Sequence, residues 1–195
     1  MKACLALAGL GLLLFGVGFA QASGVPCTGT STVVATSQGT PGCDPNITIV
    51  CPAGDKGLVR VVVTVKDCYG TPLAGKTVSC DAQQFSGSLC FCTGQDPQIG
   101  VTNVNGEVTF NFIRLGGCGG VRFVAICDAV TLGPSSVIGV RSPDITGDCL
   151  VNALDLSRFG MIYGTSDPCG DYNCDGTVNA LDLSTFGLHY GHVCP

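Results

Sequence analysis

The sequence has no tryptophan, one glutamate, and charged residues at only 12% of its length. Each shortage closes off a class of function. Glycan sites lean on exposed aromatic rings, and four tyrosines with no tryptophan supply them poorly. Glu107 is the sole glutamate and follows a turn signal, so it offers no glutamate pair for glycoside hydrolysis. There is no G-x-S-x-G, no H-E-x-x-H and no spacing that assembles a triad. No basic stripe exists for nucleic acid. These absences exclude an enzyme and a nucleic-acid binder from the expectation.

Cysteine and glycine are plentiful instead, at 14 and 29 residues. The chain opens with one lysine, an apolar run and small residues ending in Ala20-Gln21-Ala22. That is the pattern of a secretory signal peptide over residues 1–22. The run is shorter than the ~20 residues that span a bilayer, and no later segment is long enough either. The expectation is a secreted protein, extracellular or at the cell surface. In that compartment the cysteines beyond Cys4 read as a disulfide framework. The candidates are Cys27, Cys43, Cys51, Cys68, Cys80, Cys90, Cys92, Cys118, Cys127, Cys149, Cys169, Cys174 and Cys194. Their number is odd, so one thiol stays free, pairs between chains, or marks a different cleavage point.

Residues 23–131 carry strand and turn signals. "LVRVVVTVKD" (58–67) alternates valines with polar residues, "KTVSCDA" is a second short strand, and Asn105-Gly106 marks a hairpin before Val108, Phe110 and Phe112. Many short strands with regular turns predict a β-sandwich. "VTVKDCYGTPLAGKTVSC", then "VTNVNGEVTFNF" and a final "VRFVAI", resemble bacterial Ig-like domains of the invasin and intimin type over residues 31–130. This resemblance implies a structural or adhesive spacer with no catalytic residues. The cysteine load and the insertion "QQFSGSLCFCTGQDPQIG" depart from the family pattern. "LGPSSVIGVRSPDITG" reads as a linker over 132–143.

The acidic excess lies beyond that linker. From position 142 onward there are seven aspartates against Arg158 alone, and the region writes one sentence twice. "DITGDCLVNALDLSRFG" from Asp144 and "DYNCDGTVNALDLSTFG" from Asp171 lie 27 residues apart, with 13 of 21 positions identical. In the second copy, Asp171, Asn173, Asp175, Asn179 and Asp182 place side-chain oxygens at loop positions 1, 3, 5, 9 and 12. Gly176 stands at position 6, and the Thr177 carbonyl would serve position 7. This is a calcium-loop pattern, because a hard cation takes 6–8 oxygens. The first copy offers Asp144, Thr146, Asp148, the Leu150 carbonyl, Asn152 and Asp155. It is less ideal: Thr146 is a weaker ligand, and Cys149 replaces the glycine, where positive φ costs roughly 1–2 kcal/mol. A disulfide at Cys149 would hold that turn. Two Ca²⁺ sites are expected, the second stronger, with Val151 and Val178 pairing to join the loops. A helix follows each loop, with core stripes Leu156, Phe159, Tyr163 and Leu183, Phe186, Tyr190. A close helix contact would account for Gly160 and Gly187.

Two loop–helix units without entering helices resemble a dockerin, over residues 144–191. The resemblance implies a small all-α pair of calcium loop–helix units over 144–195, following an all-β, disulfide-rich sandwich. It also implies extracellular attachment to a protein partner, a cohesin-like domain. Positions 10 and 11, Ala153, Leu154, Ala180 and Leu181, depart from the family's hydroxyl pair. With Met161 and Leu188 they form candidate partner-binding patches. The alternative is that they pack under the linker or the sandwich. The functional expectation is a non-catalytic calcium-binding protein that mediates protein–protein attachment. The alternatives are a self-assembling fibre or surface-layer subunit, with another copy as partner, and an accessory part of a polysaccharide-degrading complex. Cys169, Cys174, His189, His192 and Cys194 could hold zinc. However, Cys174 lies in a calcium loop, an export signal favours disulfides, and both histidines are expected to be solvated. "CFC" (90–92) is expected to be structural.

Overall fold

The computed structural model describes residues 24–38 and 42–195. The expected signal peptide, residues 1–22, lies outside the described residues. Alternating valines and phenylalanines build the first sheet. β1 (Thr32–Ser37), β3 (Val59–Thr64) and β6 (Glu107–Phe112) pair antiparallel in the order β1-β3-β6. Val33, Ala35, Val59, Val61, Val63, Phe110 and Phe112 turn inward, as a period of two requires. The second sheet has the order β2-β9-β7-β4-β5, with β2 Ile47–Ile49, β9 Ile138–Arg141, β7 Leu115–Cys127, β4 Thr77–Phe91 and β5 Gln98–Val101. β8 (Val130–Leu132) also pairs with β7. Phe123, Val121, Ile138 and Val140 face the first sheet, and the Phe112 and Phe123 rings lie 4.6 Å apart. This β part fits the Ig-like expectation.

Several expectations need correction. Asn105-Gly106 does form a tight turn, with Gly106 at φ 73°, but it closes no hairpin. β5 before it pairs with β4, and β6 after it pairs with β3, so the turn carries the chain between sheets. "KTVSCDA" is the start of a 15-residue strand, and the insertion continues that strand alongside β7. Residues 132–143 are not a linker: they contain β9, which lies between β2 and β7 with Ile138 and Val140 buried.

The expected small all-α unit is also overturned. Among the described residues, nine strands accompany two ten-residue helices, α1 (Ala153–Ile162) and α2 (Ala180–His189). The helices share a core with the sandwich: Phe159, Ile162, Phe186, Val151, Val178 and Tyr172 pack with Ile49 and Cys51. Four disulfides fasten this region to the strands β4 and β7 and to the loops beside β2 and β4: Cys43–Cys174, Cys90–Cys149, Cys92–Cys194 and Cys118–Cys169. A region with a shared core and four cross-links is a layer of a mostly β protein, not an all-α module after it. The fifth disulfide, Cys27–Cys68, lies within the sandwich. Both "CFC" cysteines are in disulfides, whereas Cys51, Cys80 and Cys127 remain buried thiols. Cys80 and Cys127 are part of the sandwich core, where they behave as small apolar side chains. No helix among the described residues is long and apolar enough to cross a membrane.

The helix stripes differ as well. Phe159 and Phe186 are buried, but Leu156, Tyr163, Leu183 and Tyr190 are exposed. The buried positions are Asp155, Phe159 and Ile162 in α1, and Asp182, Phe186 and His189 in α2. Val151 and Val178 are fully buried, but their backbones do not hydrogen-bond to each other. Val151 pairs with Gly191 and His192 beyond α2, and Val178 pairs with Gly164 and Thr165 beyond α1. Each loop is thus laced to the exit of the other loop's helix.

Candidate metal centre

The first loop rests on the glycine-rich half of β7. The Gly117 N–H donates to the Asp144 carbonyl at 2.6 Å, and the Asp144 carboxylate lies against Gly116 so closely that a Cβ there would collide with it. Asp144 is fully buried. Its Oδ1 accepts from the N–H groups of Gly147 (2.8 Å) and Asp148 (3.1 Å), and its Oδ2 accepts from Cys149 (2.8 Å). Burial pushes its carboxyl up to about 6; the Cys149 N–H holds it back and the Asp155 charge adds to the rise.

The second loop repeats this arrangement. Asp171 accepts from the N–H groups of Asp175 and Gly176, each at 3.2 Å. Arg141, at the end of β9, donates to the Asp171 carbonyl at 2.8 Å, and its guanidinium lies 3.9 Å from the Asp171 carboxylate. Asp175 is exposed. The Asn173 amide, the Thr177 N–H and the Asn179 amide lower its pKa.

Carboxylate oxygens from positions 1, 5 and 12 converge in both loops. Those of Asp144, Asp148 and Asp155 lie within 4.8 Å of one another, as do those of Asp171, Asp175 and Asp182. The side chains at position 3 join each cluster: the Thr146 hydroxyl donates to Asp155 at 2.9 Å, and the Asn173 amide donates to Asp175 at 2.9 Å. Position 9 is the exception. The Oδ1 atoms of Asn152 and Asn179 accept from the N–H groups of Leu154 (2.6 Å) and Leu181 (2.8 Å), so they cap the helices. Their Nδ2 groups hold the Leu150 and Thr177 carbonyls at 3.3 and 3.0 Å. A ligand at position 9 that reaches its cation through water is compatible with that role. Asp155 and Asp182 complete capping boxes by accepting from the N–H groups of Asn152 and Asn179, both at 2.9 Å. Each helix start and each carboxylate cluster is therefore one construction. Three convergent carboxylates with a hydroxyl or amide beside them are oxygen donors of the type that could hold a hard divalent cation.

The left-handed backbone of the loops is supplied in two ways. Positions 4 and 6 have positive φ in both copies: Gly147 and Cys149 at 72° and 69°, Cys174 and Gly176 at 59° and 88°. The cysteine at each such position is held by a disulfide, Cys149 to Cys90 and Cys174 to Cys43.

All six candidate partner-binding residues, Ala153, Leu154, Met161, Ala180, Leu181 and Leu188, are exposed. They do not pack under the sandwich. Gly160 and Gly187 have nothing within 4 Å of an added Cβ, so no close helix contact explains them. The sequence-based candidate zinc set comes apart, since Cys169, Cys174 and Cys194 are in disulfides. His189 is buried rather than solvated, and His192 is partly buried. Sequence reasoning missed Arg141 and Gly116, whose roles depend on strands far from the loops.

No protein-family model and no curated protein sequence matches the chain. Among solved structures, the Yersinia pseudotuberculosis adhesin InvE is a distant neighbour, 21% identical, with a TM-score of 0.39. The match covers 61% of this chain and 28% of the adhesin, so the chain spans little more than a quarter of that protein's length.

Proposed function

We propose that this is a non-catalytic extracellular protein whose two loops each bind one Ca²⁺ and whose helices dock a second protein. The observation that carries this reading is the joint placement of the carboxylate clusters and the exposed apolar residues. Leu154 and Leu181 are 64% and 65% exposed, one residue before the position-12 aspartates in the first turns of α1 and α2. Met161 and Leu188, at 65% and 74%, extend the same exposure to the far ends of the helices. Paired apolar surface of this kind is an interaction feature. Calcium neutralises the carboxylates, stiffens the capping boxes and so orders the presenting helices. The residue pattern of the loops supports calcium, and the five disulfides are compatible with an oxidising compartment.

The test measures retention of the purified chain on its host's cell surface and extracellular matrix, with calcium and with chelator. Calcium-dependent retention that Leu154→Asp and Leu181→Asp abolish is the expected result. Retention indifferent to both calcium and these residues would overturn the reading. A second copy as the partner is the rival, favoured by edge strand β5, where Ile99 and Val101 are 71% and 59% exposed. Light scattering separates the two: calcium-dependent growth in particle size means self-assembly, and a monomer at every calcium concentration excludes it.

A further inference from the structure

The duplication itself marks an anomaly. The residue in α2 equivalent to Ile162 is His189, and both positions are buried. A histidine placed where the repeat has an apolar core residue needs partners. His189 Nε2 is buried with no hydrogen-bond partner, so the ring is not oriented by that nitrogen. Its other nitrogen, Nδ1, lies 3.2 Å from His192 Nδ1 and 3.3 Å from Asp55 Oδ2. His192 Nδ1 lies 3.5 Å from the same Asp55 oxygen and 3.5 Å from the sulfur of Cys51. All four atoms lie within 4.8 Å of one another.

We propose that Cys51 Sγ, Asp55 Oδ2, His189 Nδ1 and His192 Nδ1 form a four-ligand zinc site separate from the two calcium loops. The contact distances are those of a tetrahedron's edges. With Zn–N and Zn–O near 2.0–2.1 Å and Zn–S near 2.3 Å, tetrahedral angles put N···N and N···O edges at about 3.3–3.4 Å and N···S edges at about 3.5 Å. Four of the six edges run from 3.2 to 3.5 Å, and the two from Cys51 Sγ to Asp55 and His189 lie within 4.8 Å. Two imidazole nitrogens facing each other and a shared carboxylate leave a common centre for a cation. The donor set is one sulfur, two nitrogens and one oxygen, which suits zinc and not calcium, so the two kinds of site sort their metals by ligand softness. The Ala53 N–H bonds to the Cys51 sulfur, the kind of outer contact that orients a thiolate ligand.

Four protein ligands make a closed, structural site. Binding releases the thiol proton to solvent, with no oxidation or reduction. The site joins the turn after β2 to the end of α2 and the segment beyond it. It also accounts for Cys51 remaining a thiol amid ten disulfide-bonded cysteines. The proposal does not depend on partner docking or on the calcium loops.

The experiment uses the full chain, disulfides intact, in millimolar calcium so that the carboxylate loops are occupied. Elemental analysis after zinc loading and desalting should find one zinc per chain. Cobalt substituted for zinc should show tetrahedral d–d bands and a thiolate-to-metal band in the near ultraviolet. Cys51→Ser should remove the thiolate band. His192→Ala, at a partly buried position that keeps the test available should the Cys51 variant misfold, should weaken zinc binding by more than about tenfold, the lower end of what losing even a supporting group does. Asp175→Asn, in the second calcium loop, should leave the cobalt spectrum unchanged. No bound zinc, no thiolate band, or a band that survives Cys51→Ser would overturn the proposal.

Discussion

The two acidic loops are one design executed with glycine and cysteine exchanged. In the first, glycine takes position 4 and cysteine position 6; in the second, the order is reversed. All four residues have positive φ, which disfavours a side chain by roughly 1–2 kcal/mol. The cysteine in each loop accepts that conformation and in return bonds the loop to the sandwich, at two different places. The loops then differ in their surroundings. The first is seated on bare backbone at Gly116, with its leading aspartate fully buried; the second is held by Arg141 from β9. A repeat can thus keep its ligand geometry while changing how it is anchored.

The sharpest way to break the equivalence is Gly116→Ala. The new methyl collides with the Asp144 carboxylate and the Cys90 sulfur, so the first loop should lose its calcium while the second keeps its own. Calorimetry on the variant should show one site where the unaltered chain shows two. Next in size is the pair of anchors. With Cys90→Ala, glycine at position 149 should give a chain about 1–2 kcal/mol more stable than alanine there, because only glycine adopts the left-handed backbone freely. With Cys43→Ala, position 174 should respond alike. Urea midpoints of the four variants compare the loops directly, and a difference at one loop only would end the claim of a shared design.

A third prediction concerns pH. In the metal-free chain Asp144 keeps its proton up to about 6, whereas an unfolded aspartate loses it near 3.8. The folded state binds more protons in that window, so stability is fully present below 3.8 and falls as pH rises toward 6. Calcium should reverse this slope, because it favours the ionised carboxylate. Denaturation midpoints between pH 4 and 7, with chelator and with calcium, test the reversal, and Asp144→Asn should flatten the metal-free curve. The smallest effect is expected at Gly160 and Gly187. Both are exposed with open space around an added Cβ, so alanine at either should stabilise its helix by about 1 kcal/mol. The same changes should weaken partner binding if the docked protein approaches the bare helix backbone.

Local order was legible in the sequence, and long-range order was not. The alternation of Val59, Val61 and Val63 and the helix that follows each loop depend on neighbours in the chain, whereas the capping role of Asn152 and Asn179 emerges only in the structure. β9 was hidden because four residues, one of them glycine, carry too little periodicity to outweigh the Gly, Pro and Ser around them. The far half of β4 was hidden because its partner strand there is Gly116 to Gly120 around Cys118, with almost no side chains to signal a face. The apolar stripe of α1 was misplaced because Leu156 and Tyr163 look like core by type, whereas the capping box buries Asp155 and rotates Phe159 and Ile162 inward. The cluster of Cys51 and Asp55 with the two histidines spans about 140 positions of chain, so sequence proximity grouped His189 and His192 with Cys169, Cys174 and Cys194 instead.

In the proposed function each loop holds one calcium ion. Calcium calorimetry of the full chain tests it, alongside Asp148→Asn and Asp175→Asn, two exposed ligands whose loss should leave the fold intact. Two binding events are expected, with the weaker lost in Asp148→Asn and the tighter lost in Asp175→Asn. No heat at millimolar calcium, or events indifferent to both substitutions, would mean that the repeated carboxylates only cap helices and hold no metal.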